Sequence, residues 1–244
     1  KEVLQKVAKT ALGSYAFSDI ERRHIAHMLS EIALKLIEAR NGKIDLDYKK
    51  LKIVKIEGGG ILDSKIVDGI VMEKRYESPS AAPKRIKDAR IALIYSSLKL
   101  RELNPEGVTY GQPTADGGKL QSMLVARDPE TLLRLMNEKR RLIRRIAEKL
   151  KFLGVNVLIC RKEIEETIDK ELAVHGIMSI RRARIWNVEH IAEATGAKMV
   201  ASVDDLKPSD LGYAEEVEVR KIGSKYYVFI RGCRNPRSFT LLLR

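Results

Sequence analysis

The sequence predicts an α/β fold, a layered sheet with helices on its faces. Three observations predict it. Between residues 128 and 200, three short apolar segments alternate with helical ones. Each of these elements is closed by a glycine or opened by a capping residue. A hairpin signal near the C-terminus supplies further strands. Strands that alternate with helices imply parallel pairing, because a parallel connection must cross the sheet face before it returns.

The elements run in this order. Lys1 to Leu12 predicts a short helix, broken at Gly13-Ser14. Ser18 predicts the N-cap of a long helix, since Glu21 three residues later completes a capping box. The apolar face of that helix is expected at Ile20, Ile25, Met28, Leu29, Ile32, Leu36 and Ile37, and Arg40-Asn41-Gly42 is expected to close it. Leu51 to Ile56 alternates lysine with apolar residues, which predicts a strand with one wet face. Gly58-Gly59-Gly60 is the expected hinge between two domains. Strands over Gly69–Met72 and Ile91–Ile94 are separated by a loop holding Pro79 and Pro83.

Residues 103–127 hold Pro105, Gly107, Gly111, Pro113, Gly117 and Gly118, too many breakers for a plain helix. A flexible tip is expected there, with an exposed Met123-Leu124-Val125 triplet. Asp128-Pro129 opens a helix whose Leu132, Leu135, Met136, Leu142, Ile143, Ile146 and Leu150 form one stripe, ending at Gly154. Then come a strand over Val155–Cys160, a helix from about Ile164 to Val174, and a strand over Ile177–Ile180. A helix capped by Asn187 and ended by Gly196 is next, then a strand over Lys198–Ala201. Glu215–Ile222 and Tyr226–Ile230 flank Gly223-Ser224 as a hairpin, and Ser238–Leu243 is the last strand.

Composition narrows the function classes. The 244 residues contain no apolar run that could cross a membrane helically and no leader pattern. Two cysteines are too few for a disulfide framework, so a reducing cytoplasmic setting is the simplest one. The net charge of +13 and pI of about 9.7 raise nucleic acid as a partner, and fit a thermophile's charge-rich surface equally well. Basic clusters occur at Lys139-Arg140-Arg141, Arg144-Arg145, Lys149 and Lys151, and at Arg181-Arg182 and Arg184. Such faces bind phosphates without sequence preference, but 5% aromatic content gives no base-stacking platform.

Catalytic and metal signals are weak. Gly117-Gly118-Lys119 has Pro113 where a phosphate-binding loop needs its first glycine, and Leu120 where it needs Ser or Thr. Glu21, His24, His27 and Glu31 share one helix without a second ligand set elsewhere, so a packed or solvated face is the expectation and no metal is assigned. No Gly-x-Ser-x-Gly elbow is present, and no catalytic residue is assigned.

A series of spaced segments carries a resemblance. In order they are "VAKTAL", "ARNGKIDLDYKKLKIVKIEGGG", "ILDSKIVDGIVMEKR", "PKRIKDARIALI", "DPETLLRLMNEK", "GVNVLICRKEI", "HGIMSIRRAR", "IAEATGAKMV" and "DLGYAEEVEVRKIG". They resemble the group II chaperonins, the archaeal thermosome and its eukaryotic cytosolic relatives. The resemblance implies an intermediate-domain segment over residues 1–57, to which residues 235–244 return. It also implies an apical, substrate-binding domain over 58–234, with a lid protrusion at about 98–130. This protrusion is longer than the family's usual one. The equatorial domain, with its Gly-Asp-Gly motif, ATP and magnesium, is not among these segments, so a middle piece without an active site of its own is expected.

The resemblance carries further expectations. The function implied is binding of unfolded polypeptide clients and lid formation, beside other subunits in a double ring, with no membrane partner. The client surface would be the helix at Ile164 to Val174 and the loop before it. Helical periodicity turns Ile164, Ile168 and Leu172 inward and Glu165, Glu166, Asp169, Lys170 and Ala173 outward, with Arg161 and Lys162 supplying the loop.

Overall fold

The computed structural model describes residues 1–40, 43–46, 51–74, 78–100, 129–234 and 238–244. The helices are α1 (Glu2–Ala11), α2 (Asp19–Leu36), α3 (Pro129–Phe152), α4 (Glu166–Val174) and α5 (Ile185–Thr195). The strands are β1 (Ile37–Arg40), β2 (Lys43–Leu46), β3 (Leu51–Lys55), β4 (Lys65–Lys74), β5 (Arg85–Ile94), β6 (Val157–Cys160), β7 (Met178–Ile180), β8 (Met199–Val200), β9 (Gly212–Ile222), β10 (Lys225–Cys233) and β11 (Phe239–Leu243).

β1 and β2 form a small antiparallel ribbon. The main sheet runs β3-β11-β4-β10-β9-β5-β6-β7, with β8 pairing the last two residues of β5. The expected parallel pairing holds where helices separate the strands: β5 with β6, β6 with β7, and β5 with β8. The β9–β10 hairpin is antiparallel, as the Gly223-Ser224 signal implies, and β4 extends it on the other side.

The strand periodicity of two divides the core into layers. Ile91, Leu93, Val157 and Ile159 pack with Val188, Ile191 and Ala194 of α5 on one face. Ala92, Ile94, Leu158 and Cys160 pack with Ile143, Ala147 and Leu150 of α3 and with Ile168 and Leu172 of α4 on the other. Because both faces of β6 and of the last four residues of β5, Ile91–Ile94, are covered, these stretches read as unbroken apolar runs rather than alternating ones.

Several expectations are corrected by tertiary packing. The long helix does begin at Ser18, with both halves of the capping box formed. It stops at Leu36, however, and Ile37–Arg40 leaves it as β1, because Lys43–Leu46 offers a strand to pair with. In the sequence, Asn41-Gly42 is a hairpin signal as much as a helix stop; both residues lie outside the described ones. Only one stripe of α2 is covered: Met28, Ile32 and Leu36 meet Phe239 and Leu241, while Ile20, Leu29 and Ile37 remain exposed. On α3, Ile143 and Leu150 are buried as expected, but Met136 is exposed.

Strand β3 reverses its expected faces at one pair. Lys52 is buried and Ile53 is exposed, because the Lys52 ammonium finds an acceptor, Asn187 Oδ1, at 2.5 Å. Asn187 therefore is not a helix cap. The N-cap of α5 is Arg184, and Asn187 sits buried in the first turn with its amide committed to β3. At the other end, α5 closes on Gly196 at φ 75°, the left-handed cap that the sequence implied.

Candidate polypeptide-binding surface

The candidate surface is built where β6 leaves the sheet. Burial of Cys160 at the end of β6 pushes its thiol up to about 11, so it stays protonated, with Sγ 2.9 Å from the Ser96 carbonyl. Residues 161–165 then run across the sheet end towards α4. The Arg161 N–H donates to Ile94 O at 2.8 Å, and its guanidinium lies 4.4 Å from the Tyr95 ring centre. The Lys162 ammonium lies 5.5 Å from the same ring and is exposed. The two basic residues expected in the loop are thus brought together over one aromatic.

The loop is also tied to residues 98–100, the base of the expected protrusion. Leu98 bridges Ile164 in parallel fashion. The Leu98 N–H donates to Glu163 O, and the Glu165 N–H donates to Leu98 O, each at 2.8 Å. Glu163 pairs with both Lys99 and Arg182. Those two hydrogen bonds, Lys99 first, hold its carboxyl below the usual range.

Glu165 is the N-cap residue of α4, and its carboxylate is already engaged. It accepts from Lys139 Nζ at 2.7 Å, from the Leu100 N–H at 3.0 Å and from Thr167 Oγ1 at 2.9 Å. Burial pushes this carboxyl up, but the hydrogen bonds, Lys139 foremost, outweigh it and leave it lowered.

On α4 the inward residues Ile164, Ile168 and Leu172 are placed as expected, and so are the outward Glu166 and Lys170. These two charges pair at 2.7 Å while staying mostly solvated. Glu165, also expected outward, is only partly exposed, and two outward expectations fail outright. Asp169 and Ala173 are each 4% exposed. Asp169 accepts a hydrogen bond from Ser179 Oγ of β7 and supports the buried Lys74 ammonium of β4. Ala173 is small enough to let α4 lie close to the sheet. This nine-residue helix, packed on the sheet face beside α3, buries Asp169 and Ala173 as well as its main stripe, so the four-residue spacing alone understated the buried arc.

Two exposed apolar side chains were missed. Val174, the last residue of α4, is 73% exposed, and Phe152, in the last turn of α3, is 91% exposed. The signal for Phe152 was available, since it lies two positions from the core residue Leu150 and so falls off the stripe.

The expected hinge glycines have distinct conformations. Gly58 and Gly59 adopt φ 86° and 84°, and a Cβ on Gly59 would stand 2.6 Å from Asp63 Oδ2. The strands on either side, β3 and β4, both flank β11. Met123, Leu124, Val125 and most of the expected protrusion lie outside the described residues.

Two histidines are in structural roles. His24 Nε2 lies 3.0 Å from Ser64 O, and His175 Nδ1 lies 2.9 Å from Glu171 O at the end of α4. Among the described residues no three His, Cys, Asp or Glu side chains converge on a metal position. No described helix is long and apolar enough to cross a membrane.

The described residues thus form a mixed sheet covered by helices on both faces, with a polar loop-and-helix edge of paired charges. The particular scaffold is identified by comparison. Residues 1–244 match the TCP-1/cpn60 chaperonin family, and the chain belongs to it. It is 33% identical over 244 residues to a thermosome subunit of Pyrococcus horikoshii, covering 100% of this chain and 41% of that relative. It is 39% identical over 246 residues to the thermosome subunit alpha of Aeropyrum pernix, covering 99% and 41%. Among solved structures, the open-state monomer of a group II chaperonin from Methanococcoides burtonii superposes with a TM-score of 0.70 at 21% identity, covering 99% of this chain and 50% of that one. The chain thus spans about two fifths of the length of these curated relatives.

Proposed function

We propose that this chain is the client-holding part of a group II chaperonin subunit, a molecular chaperone. Residues 58–234 form the apical domain, and residues 1–57 with 235–244 the adjoining intermediate segment. The observation that carries this reading is the surface of Arg161, Lys162, Glu166 and Lys170, with Val174 at its end and the base of the 98–130 segment hydrogen-bonded to its loop. Paired, solvated charges beside an exposed apolar side chain hold many sequences weakly, and a ring of such surfaces multiplies that affinity. The 98–130 segment serves as the lid. Gly58 to Gly60 serve as the hinge, through which an ATP- and magnesium-binding equatorial domain, separate from these 244 residues, moves the apical domain as a rigid body.

The test is suppression of aggregation of a chemically denatured protein by the purified chain without ATP, at low and high salt. Suppression that survives high salt and is reduced by Val174→Asp with Lys162→Glu supports the assigned surface. Suppression that vanishes with salt reassigns the effect to the net charge of +13.

A further inference from the structure

A basic cavity of about 260 Å³ lies between β3 and the start of α5, and adjoins the loop described above through Arg182, which pairs with Glu163. Six basic residues line it: Lys52 and Lys55 of β3, Lys74 of β4, and Arg181, Arg182 and Arg184 from the turn before α5. Glu73 is the one carboxylate among the lining residues. Lys52 and Lys74 are each only 6% exposed. Lys52 is held by a neutral amide, Asn187, and by the face of Trp186, whose ring centre is 4.5 Å from Nζ.

The helix that opens onto this cavity adds to its positive potential. α5 has Arg184 as N-cap, no side-chain hydrogen bond to its first turn, and no acidic residue there. α2 shows the contrast, with Ser18 and Glu21 supplying oxygen acceptors to the same part of the helix. An uncapped helix N-terminus surrounded by cations is destabilising unless an anion joins it.

We infer that this cavity is an anion site for phosphate groups, formed by Lys52, Lys74, Arg181, Arg184 and the N-terminus of α5. Its volume suits one or two phosphoryl groups and excludes a folded nucleic acid. Its several cations favour a multivalent oxyanion over a single carboxylate. Burial, followed by the charge of Arg184, brings the Lys52 ammonium down to about 7, and burial brings Lys74 to about 8 despite the pull of Asp169. An arriving anion offsets that cost by favouring the charged form of Lys52 and adding to the acceptor that Lys74 already has in Ser179 O. Occupancy would join β3 to α5 by charge as well as by the Lys52–Asn187 hydrogen bond.

Trp186, the single tryptophan of the chain, reports the site directly by fluorescence. The probes are inorganic pyrophosphate, ADP and acetate, titrated into the chain at fixed ionic strength. The expected result is a saturable Trp186 change with pyrophosphate and none with acetate. Arg184→Ala, an exposed position, and Lys52→Met should each weaken binding at least tenfold, while Arg140→Ala with Arg144→Ala on α3 should change it less than twofold. Circular dichroism confirms folding, and Arg184→Ala carries the test if Lys52→Met does not fold. Equal affinity for ADP and pyrophosphate assigns recognition to the phosphates alone. Tighter ADP binding with the same variant losses also supports the site, and makes a nucleotide the source of the phosphates. Absence of saturable binding, or an equal loss with the α3 variant, overturns the proposal.

Discussion

Lys139 of α3 lies 2.7 Å from Glu165 Oε1 at the N-cap of α4, and both side chains are largely withdrawn from solvent. This pair joins the two helices that cover one face of the sheet. It also takes Glu165, one of the residues expected to meet a client, out of the exposed set and gives it a positioning role.

Lys139→Ala should lower stability by about 1 kcal/mol, at the upper end for a partly solvated pair. Glu165 retains the Leu100 N–H and Thr167 as donors, which limits the loss. Thermal unfolding checks this, and an unchanged Tm contradicts it. Glu165 and Glu163 both have lowered carboxyls, so their contribution is complete above the ordinary carboxylate range and disappears as pH falls below it. Lys139→Ala should therefore flatten the acid limb of the stability curve.

Asp169 distinguishes a buried network from an exposed client face. Its carboxylate holds Ser179 and supports Lys74 inside the sheet–helix interface. Asp169→Ala should cost about 3 kcal/mol, because it leaves a buried cation less compensated. Its exposed neighbour Lys170 gives the comparison: Lys170→Ala should stay within about 0.5 kcal/mol. Denaturant unfolding of the two variants measures both, and equal small effects would return Asp169 to the surface.

Lys52 gives the chain an unusual pH dependence. Unfolded, this lysine titrates near 10.5, whereas in the fold burial, and then Arg184, bring it to about 7. The unfolded state then binds more protons between those values, so stability rises with pH through that window, by at most roughly 1.4 kcal/mol per pKa unit. Lys74 adds to the rise from about 8. Above 9 the two cysteines, pushed up to about 11 by burial, act in the opposite sense. Without added phosphate, Tm should climb from pH 7 to 9 in the unmodified chain, and in Lys52→Met it should stay level to about pH 8 and then rise only by the smaller Lys74 contribution. A level curve in both contradicts the burial of this charge.

The layer type, and the order of the elements apart from the β1–β2 ribbon, were legible along the chain. The Ser18–Glu21 capping box, the apolar runs of β5 and β6, the stripe on α3 and the glycine that ends α5 are all local patterns, and each was legible because periodicity and capping act within a few residues. The family was legible on a separate ground, the resemblance of its quoted segments in their order. Which polar groups went inside was settled by long-range packing. Lys52 is buried because Asn187, 135 positions away, accepts its hydrogen bond. Asp169 is buried because β7 brings Ser179 beneath it. Helix α2 ends at Leu36 because Ile37–Arg40 pairs with β2 instead of continuing the helix. Burying a charge is costly in isolation and tolerable once a partner meets it. That partner is set by how distant segments pack, and a pattern along the chain does not contain it.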